Sequence, residues 1–359
     1  IKNSGGTMRF IHTGDIHLGA TPESKRPWAA NRGDEIWNTL ERLIKKIKID
    51  PVDLLIIAGD MFHRQPLLRE LKEVDYLFST IPDTKVVLCA GNHDAIKKGS
   101  FYDGFKWSEN VIFLGDKNIE SVEIPELNTC VYGLSYHQTE IKDAMYDHVI
   151  VDRPDMINIL VAHGGDEKHI PINRKKLAMS GFDYVAMGHI HKPEIDEKMK
   201  MAYSGSLEPI DMNDIGPRGY IYGEISKRGL ELVPFAKRIY RELDFTVTPT
   251  ATNLEIRHRL IDMIKEQGQD DMYKITFSGY RDPDFDIDVS DIEGVGNVVS
   301  VTDNTVPDYD FEELYAENKD NILGMYIKKF LDRESLTPLQ RKTLYYGTKA
   351  LMDAMEDRA

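Results

Sequence analysis

The chain has 359 residues and a net charge of -15, from 45 Lys and Arg against 60 Asp and Glu, with 11 histidines and two cysteines. Its length exceeds the roughly 250–300 residues at which a single core stops growing, so more than one module is expected. The acidity excludes a protein that grips nucleic acid through bulk positive charge alone, two cysteines cannot staple a disulfide scaffold, and no apolar run approaches the roughly 20 residues that span a bilayer.

In chain order, residues 1–7, with an Asn-Ser-Gly-Gly stretch, read as a lead ahead of Met8, a candidate native start. That start lacks the basic-then-apolar pattern of a secretory signal, so a cytoplasmic protein without a membrane role is expected. Apolar runs at 8–11, 52–58, 86–90, 157–162 and 184–187 read as buried strands. Each leads into a polar motif: Asp15-Ile-His17, Gly59-Asp60-Met61-Phe62-His63, Gly91-Asn92-His93-Asp94, His163-Gly164-Gly165 and Gly188-His189-Ile190-His191. Cys89 and Cys130 lie in apolar runs and read as buried, reduced thiols. An apolar stripe of Leu67, Leu68, Leu71, Val74, Leu77 and Phe78 reads as a helix, and with Phe101, Phe105 and Trp107 it would form a homodimer face, although part of the stripe must cover its own sheet. Strands at 220–225 and 230–233 would complete the sheet before Pro234 marks a break.

From about residue 238 the pattern changes to a small α+β module, with strands at 243–247, 273–278 and 298–301 around a helix over 253–266. Thr252 with Glu255 three residues on supplies that helix a start, and Gly268 an end. The last fifty or so residues are helical. Asp310 with Glu313, and Thr337-Pro338 with Gln340, give two capping-box starts, and Leu314, Met325, Tyr326, Phe330, Leu339, Leu344, Leu351 and Met355 recur at helical spacing.

Ligand sites of open α/β sheets gather at the carboxyl ends of strands, so the five motifs can converge on one pocket. Carboxylates, imidazoles and an amide oxygen suit Mn²⁺, Fe²⁺ or Zn²⁺ better than an all-oxygen Ca²⁺ or Mg²⁺ site, and closely spaced cysteines for a thiolate site are lacking. Such a donor set is sufficient for two ions roughly 3.5–4 Å apart, the arrangement that serves phosphoryl chemistry. His12, His137, His148, His169 and His258 fall outside the motifs and read as structural, with His12 alternating out of the first strand away from its apolar neighbours.

The ordered motif set resembles the calcineurin-like metallophosphoesterase superfamily over roughly residues 8–235. Protein phosphatases of that superfamily continue the second motif as Gly-Asp-x-x-Asp-Arg-Gly, whereas this chain carries His63 there. That ending, the Asp-Ile-His-Leu-Gly opening and Gly133-Leu-Ser-Tyr136 resemble the SbcD group of DNA repair nucleases. The resemblance implies a four-layer α/β/β/α catalytic domain over 8–236, a capping domain over 237–306 and a helical segment over 307–359 that grips an SbcC-type coiled-coil ATPase. It also implies that Asp15, His17 and His191 hold one metal, that Asn92, His163 and His189 hold the other, and that Asp60 bridges. His93 would then contact the scissile phosphate and protonate the leaving oxygen while an activated water attacks in line. His63 and Asp94 would support it nearby. The implied activity is Mn²⁺-dependent exonuclease and endonuclease action on DNA, with Fe, Zn or Mg as other metals. A nucleotide or small-phosphoester phosphodiesterase, and a scaffold that docks an ATPase beside a vestigial site, are the rival expectations. The acidity sits uneasily with DNA binding, which Lys97, Lys98, Arg174, Lys175, Lys176 and Lys192 just after the motifs, two divalent ions and a partner would offset.

Overall fold

Val, Ile and Leu dominate the central runs because these strands are buried on both faces, as the computed structural model of the chain shows. It describes residues 8–225, 229–333 and 335–356, so the lead over 1–7 lies outside the described residues. Strands β1 (Arg9–Thr13), β2 (Leu54–Ala58), β3 (Lys85–Cys89) and β4 (Val111–Phe113) run parallel and side by side. A second sheet holds β5 (Glu120–Ile124), β6 (Thr129–Gly133), β7 (Ile157–His163), β8 (Tyr184–Gly188), β9 (Glu194–Asp196) and β10 (Met201–Tyr203), in the order β5-β6-β7-β8-β10-β9. The chain then returns through β11 (Gly219–Glu224) and β12 (Leu230–Pro234), which add antiparallel to β1 and complete the first sheet as β12-β11-β1-β2-β3-β4. Both sheets are therefore mixed: the second has antiparallel strands at both edges, and the first has them at the β12 edge only, since β4 pairs parallel with β3 at the other.

Side chains alternate between faces with the period of two that strands impose. Phe10, Leu54, Ile56, Ala58, Val87 and Cys89 meet Val131, Ile159, Val161, Tyr184 and Ala186 between the sheets. Their alternates Ile11, Leu55, Ile57, Val86 and Leu88 face α1 (Arg32–Ile49) and α2 (Leu68–Ser79). Helix α1 presents Ile36, Leu40, Leu43, Ile44 and Ile47 at three- and four-residue spacing, with Asp34 and Glu35 in its first turn and Lys46 and Lys48 in its last, which suits the helix dipole. Each such aliphatic side chain contributes roughly 1.5–3 kcal/mol by burial. In α2, Leu71, Val74 and Phe78 are buried on the sheet, and Phe105 and Trp107 pack against the same core, while Leu67, Leu68 and Phe101 stay exposed. The outer face of the second sheet is covered more thinly, by Leu177 of the short α3 (Arg174–Ala178) with Tyr146 and Phe182.

His12 departs from expectation. It does alternate away from Ile11, but the face it reaches is the apolar layer between the sheets, where its Nδ1 lies 2.8 Å from Tyr184 Oη. A strand covered on both faces has no outward side for a polar residue. Cys89 and Cys130 are buried free thiols.

The chain divides after Tyr240 into two compact units. In the second, β13 (Tyr240–Val247), β14 (Met272–Arg281) and β15 (Val298–Asp303) form a sheet in that order, β16 (Val306–Pro307) extends β14, and α4 (Asn253–Gln267) packs Ile256, Leu260 and Ile264 against it. Thr252 accepts the Glu255 N–H at the start of α4, as its position suggests. After a single turn α5 (Val289–Ile292), helices α6 (Phe311–Glu317), α7 (Ile322–Leu331) and α8 (Pro338–Glu356) follow. Thr337 and Gln340 cap α8 reciprocally, at 2.9 and 3.3 Å. Asn321, which carries no capping-box partner in the sequence, starts α7 by accepting the Leu323 and Gly324 N–H groups. Leu323, Ile327 and Leu344 make a small core with Leu314, Tyr326, Phe330 and Leu351 beside them, whereas Ile322, Met325, Leu339 and Tyr346 are exposed. Among the described residues no helix is long and apolar enough to cross a membrane.

Candidate metal centre

The parallel registers align strand ends, so the motifs leave both sheets at one edge: Ala58 lies opposite Cys89, and His163 opposite Gly188. Backbone hydrogen bonds then knit the loops together. Asp15 N–H donates to Gly59 O at 3.1 Å, His17 N–H to Asp60 O at 3.0 Å, and Leu18 N–H to Met61 O at 2.9 Å. The carboxylates tie motifs as well, with Asp15 accepting His189 N–H at 2.9 Å and Asp60 accepting His93 N–H at 2.9 Å. Asp15, His17, Asp60 and His189 all have left-handed φ angles, of 48°, 53°, 48° and 89°. Non-glycine residues seldom adopt that region, and clusters of such strain mark functional sites. Two glycines make room for the donors. A Cβ on Gly59, itself at φ 84°, would lie 2.3 Å from His163 Nδ1, and a Cβ on Gly91 would lie 2.2 Å from Asp60 Oδ1.

The result is two groups of donors that share a carboxylate. In one, Asp15, His17 and His191 offer ligand atoms within 4.8 Å of one another, with the two histidine Nε2 atoms 3.2 Å apart. In the other, Asn92 Oδ1 lies 2.9 Å from His163 Nε2 and 3.1 Å from His189 Nδ1. Asp60 Oδ2 sits between them, 3.8 Å from His17 Nε2 and 3.4 Å from His163 Nε2.

The sequence pattern of the calcineurin-like phosphoesterase family matches residues 8–193, just over half of the chain. The chain belongs to the calcineurin-like phosphoesterase family. It is 25% identical over 278 residues to a DNA double-strand break repair protein Mre11 of Methanopyrus kandleri, covering 69% of this chain and 59% of that protein. To the Mre11 of Methanocaldococcus jannaschii it is 29% identical over 220 residues, 58% of each chain. The D component of the SbcCD nuclease of Staphylococcus saprophyticus is 25% identical over 261 residues, 62% of this chain and 66% of that component. The chain thus spans less than two thirds of the length of these relatives.

Members of this family bind divalent metals, and the donor chemistry here fits such ions. His163 Nδ1 lies 2.9 Å from Ala58 O and His191 Nδ1 lies 3.3 Å from Asp214 Oδ2, so in the neutral form each ring keeps its proton on Nδ1 and would present a bare Nε2 to a cation in the site. In that form Asn92 Oδ1 faces lone pairs rather than protons, which a cation satisfies and a hydrogen bond does not. Burial holds His17 well below its usual pKa, leaving it a neutral ligand. Burial also pushes the Asp15 carboxyl up to about 6. It acts likewise on Asp60, but the adjacent His163 more than offsets it and keeps that carboxyl well below the usual range. His163 shows the converse: burial opposes its charge, yet Asp60 and Asp15 raise it to about 9, so without an ion its Nε2 carries a proton at the place a cation would take. The two buried carboxylates demand positive charge at this point.

Of the other expected residues, His93 and His63 stack at the open mouth with ring centroids 5.1 Å apart, both exposed, and the His93 ring stands edge-on to His17 at 4.8 Å. Asp94 lies behind them, fully buried, accepting Gly91 N–H at 2.8 Å, Phe62 N–H at 3.1 Å and Tyr102 O–H at 2.9 Å. Burial, with Asp60 nearby, raises its carboxyl to about 7. It braces the second and third motifs and touches neither donor group. Arg174 is ion-paired with Glu194, and Lys176 with Asp147 at 3.4 Å, while Lys97, Lys98, Lys175 and Lys192 are exposed. Two carboxylates join the site without having been expected. Asp214 holds His191, and Asp166 lies 2.8 Å from His189 Nε2 with His169 at its other side. The spacing His163-x-x-Asp166-x-x-His169 was a signal for the second of these; Asp214 had none.

Proposed function

We propose that this protein is a DNA nuclease that hydrolyses phosphodiester bonds with two divalent ions, Mn²⁺ first among them. The observation that carries the reading is a shared carboxylate, Asp60, between two donor triads at a mouth where His63 and His93 are exposed. An open mouth suits a polymer better than a small ester. Asp15, His17 and His191 would hold one ion and Asn92, His163 and His189 the other. Ions held there supply Lewis acidity toward a phosphoryl oxygen and bring the pKa of water toward neutrality. The chain's own part is to orient and to move a proton. His93, whose backbone N–H is anchored on Asp60, directs its ring to the mouth and protonates the leaving oxygen. His63 stacks on it and limits its rotation, and Asp94 fixes the loops that carry both. The names of the archaeal and staphylococcal relatives, a break-repair protein and a nuclease component, support DNA as substrate.

In this reading the exposed apolar residues of α7 and α8 grip a coiled-coil ATPase partner, which would supply much of the DNA affinity that an acidic chain lacks. Exposed Leu67, Leu68 and Phe101 are the residues through which two copies would pair. The test compares the protein with Asp60→Asn on end-labelled duplex DNA, single-stranded DNA and an aryl phosphodiester, with Mn²⁺ and then with chelator. Chelator-sensitive DNA degradation that the variant loses is the expected result. Hydrolysis of the aryl ester alone, persisting when a partner ATPase is added, defeats the nuclease reading.

A further inference from the structure

The segment after His163 turns a carboxylate and another imidazole back onto the site. Asp166 Oδ2 lies 2.8 Å from His189 Nε2, while the opposite nitrogen of that ring, Nδ1, faces Asn92 Oδ1 at 3.1 Å. Asp166 is itself fixed, by the N–H groups of Lys168 and His169 at 2.7 and 2.9 Å and by His169 Nδ1 at 2.9 Å. The His169 and His189 rings lie 4.4 Å apart. A neutral imidazole carries one proton. A carboxylate at Nε2 places that proton on Nε2 and leaves the Nδ1 lone pair turned toward Asn92.

The loop is built to hold this geometry. Ile170 is fully buried at φ 41°, a conformation that a β-branched residue rarely adopts. Ile141 clasps the segment on both sides of His169, donating its N–H to Lys168 O at 2.9 Å and accepting Ile170 N–H at 2.7 Å. Strain of this kind persists only where the surroundings over-determine it. Asp166 itself is 45% exposed, so replacing it opens no cavity in a packed core.

We propose that Asp166, held by His169, is a positioning residue that fixes the tautomer and orientation of His189 and thereby sets the affinity of the ion at Asn92, His163 and His189. This rests on the two-ion reading above. Partners of metal-binding histidines typically change metal affinity or activity by about 10- to 100-fold when removed. Without Asp166 the His189 ring is free to turn and to present a protonated nitrogen to the ion.

The experiment is a Mn²⁺ titration of the full chain and of Asp166→Ala, Asp166→Asn and His169→Ala, read by low-temperature electron paramagnetic resonance, which separates an exchange-coupled pair from a single ion. Wild type is expected to show the coupled pair. Asp166→Ala should show a single ion at the same Mn²⁺ concentration and regain the pair only at about 10- to 100-fold more. Asp166→Asn, which keeps an acceptor and loses the charge, should fall between, and His169→Ala should shift occupancy in the same direction by less. A coupled pair in Asp166→Ala at the wild-type Mn²⁺ concentration overturns the proposal. So does a third equivalent of Mn²⁺ in wild type that disappears with Asp166, since the cluster would then be a cation site. DNA cleavage assayed on the same samples keeps the two readings apart. A wild type with the pair that cleaves no DNA even when a partner ATPase is added defeats the nuclease reading and leaves the role of Asp166 standing, whereas a wild type without the pair overturns both.

Discussion

Gly91 and His93 stand two residues apart in one motif and contribute through opposite ends of the residue. Gly91 contributes only an absence: a methyl group there would lie 2.2 Å from Asp60 Oδ1 and 2.6 Å from Asp60 N, and backbone cannot yield to that extent. Gly91→Ala should therefore displace the shared carboxylate, weakening Mn²⁺ binding by about 10- to 100-fold in a calorimetric titration. Unchanged binding would mean that Asp60 is not the shared ligand. His93 contributes a ring that the backbone anchor on Asp60 does not need. His93→Ala should keep both ions and lower turnover by about 10²- to 10⁴-fold, and wild-type cleavage in that variant would remove its assignment as the acid. The contrast also explains what was readable. A histidine after Gly-Asn is visible in the chain, whereas the steric need for Gly91 exists only because Asp60, more than thirty residues earlier, folds against it.

At the scale of elements, strand runs and helix caps were legible because their causes are local. Thr252, Asp310 and Thr337 each accept an N–H of the first turn that follows, as their positions indicate. What was not legible is which apolar residues of the last helices face inward. Leu344 belongs to their small core and Met325 and Leu339 do not, although all three recur at helical spacing. If the outward residues hold a partner, Met325→Asp together with Leu339→Asp, at 63% and 74% exposure, should leave the melting temperature unchanged and abolish binding to a coiled-coil partner in a pull-down with purified ATPase. Retained binding would return those residues to ordinary surface.

At the scale of the whole molecule, enclosing a sheet on both faces creates a pH dependence that no local pattern announces. His12, between the sheets, is held by burial at a pKa of about 3 against a usual 6.5. A folded-state pKa below the unfolded one means that the unfolded chain binds the proton more readily, so this contribution to stability is complete above about pH 6.5 and is lost as pH falls from there toward 3. The slope is at most about 1.4 kcal/mol per pH unit for one group. Urea unfolding in chelator between pH 7 and 5 should show stability falling with acidity, and His12→Phe should flatten that limb; an identical slope in the variant would place the proton uptake elsewhere.

Five motifs at strand ends, their residue types and their order were set by the sequence alone, because a strand and the polar turn after it are written within a dozen consecutive residues. The family resemblance those motifs carry is what singles out Asp15, His17, Asp60, Asn92, His163, His189 and His191 as the expected donors. Tertiary structure alone decided which atoms of those residues face inward and what holds them there. Asp166 and Asp214 reach His189 and His191 only because the loop after β7 folds back beside β8 and because the chain returns past the site before β11. A hydrogen bond between residues some twenty positions apart depends on where two strands lie in the sheet; the spacing of His163, Asp166 and His169 hints at the first of these, and nothing in the sequence around Asp214 records the second.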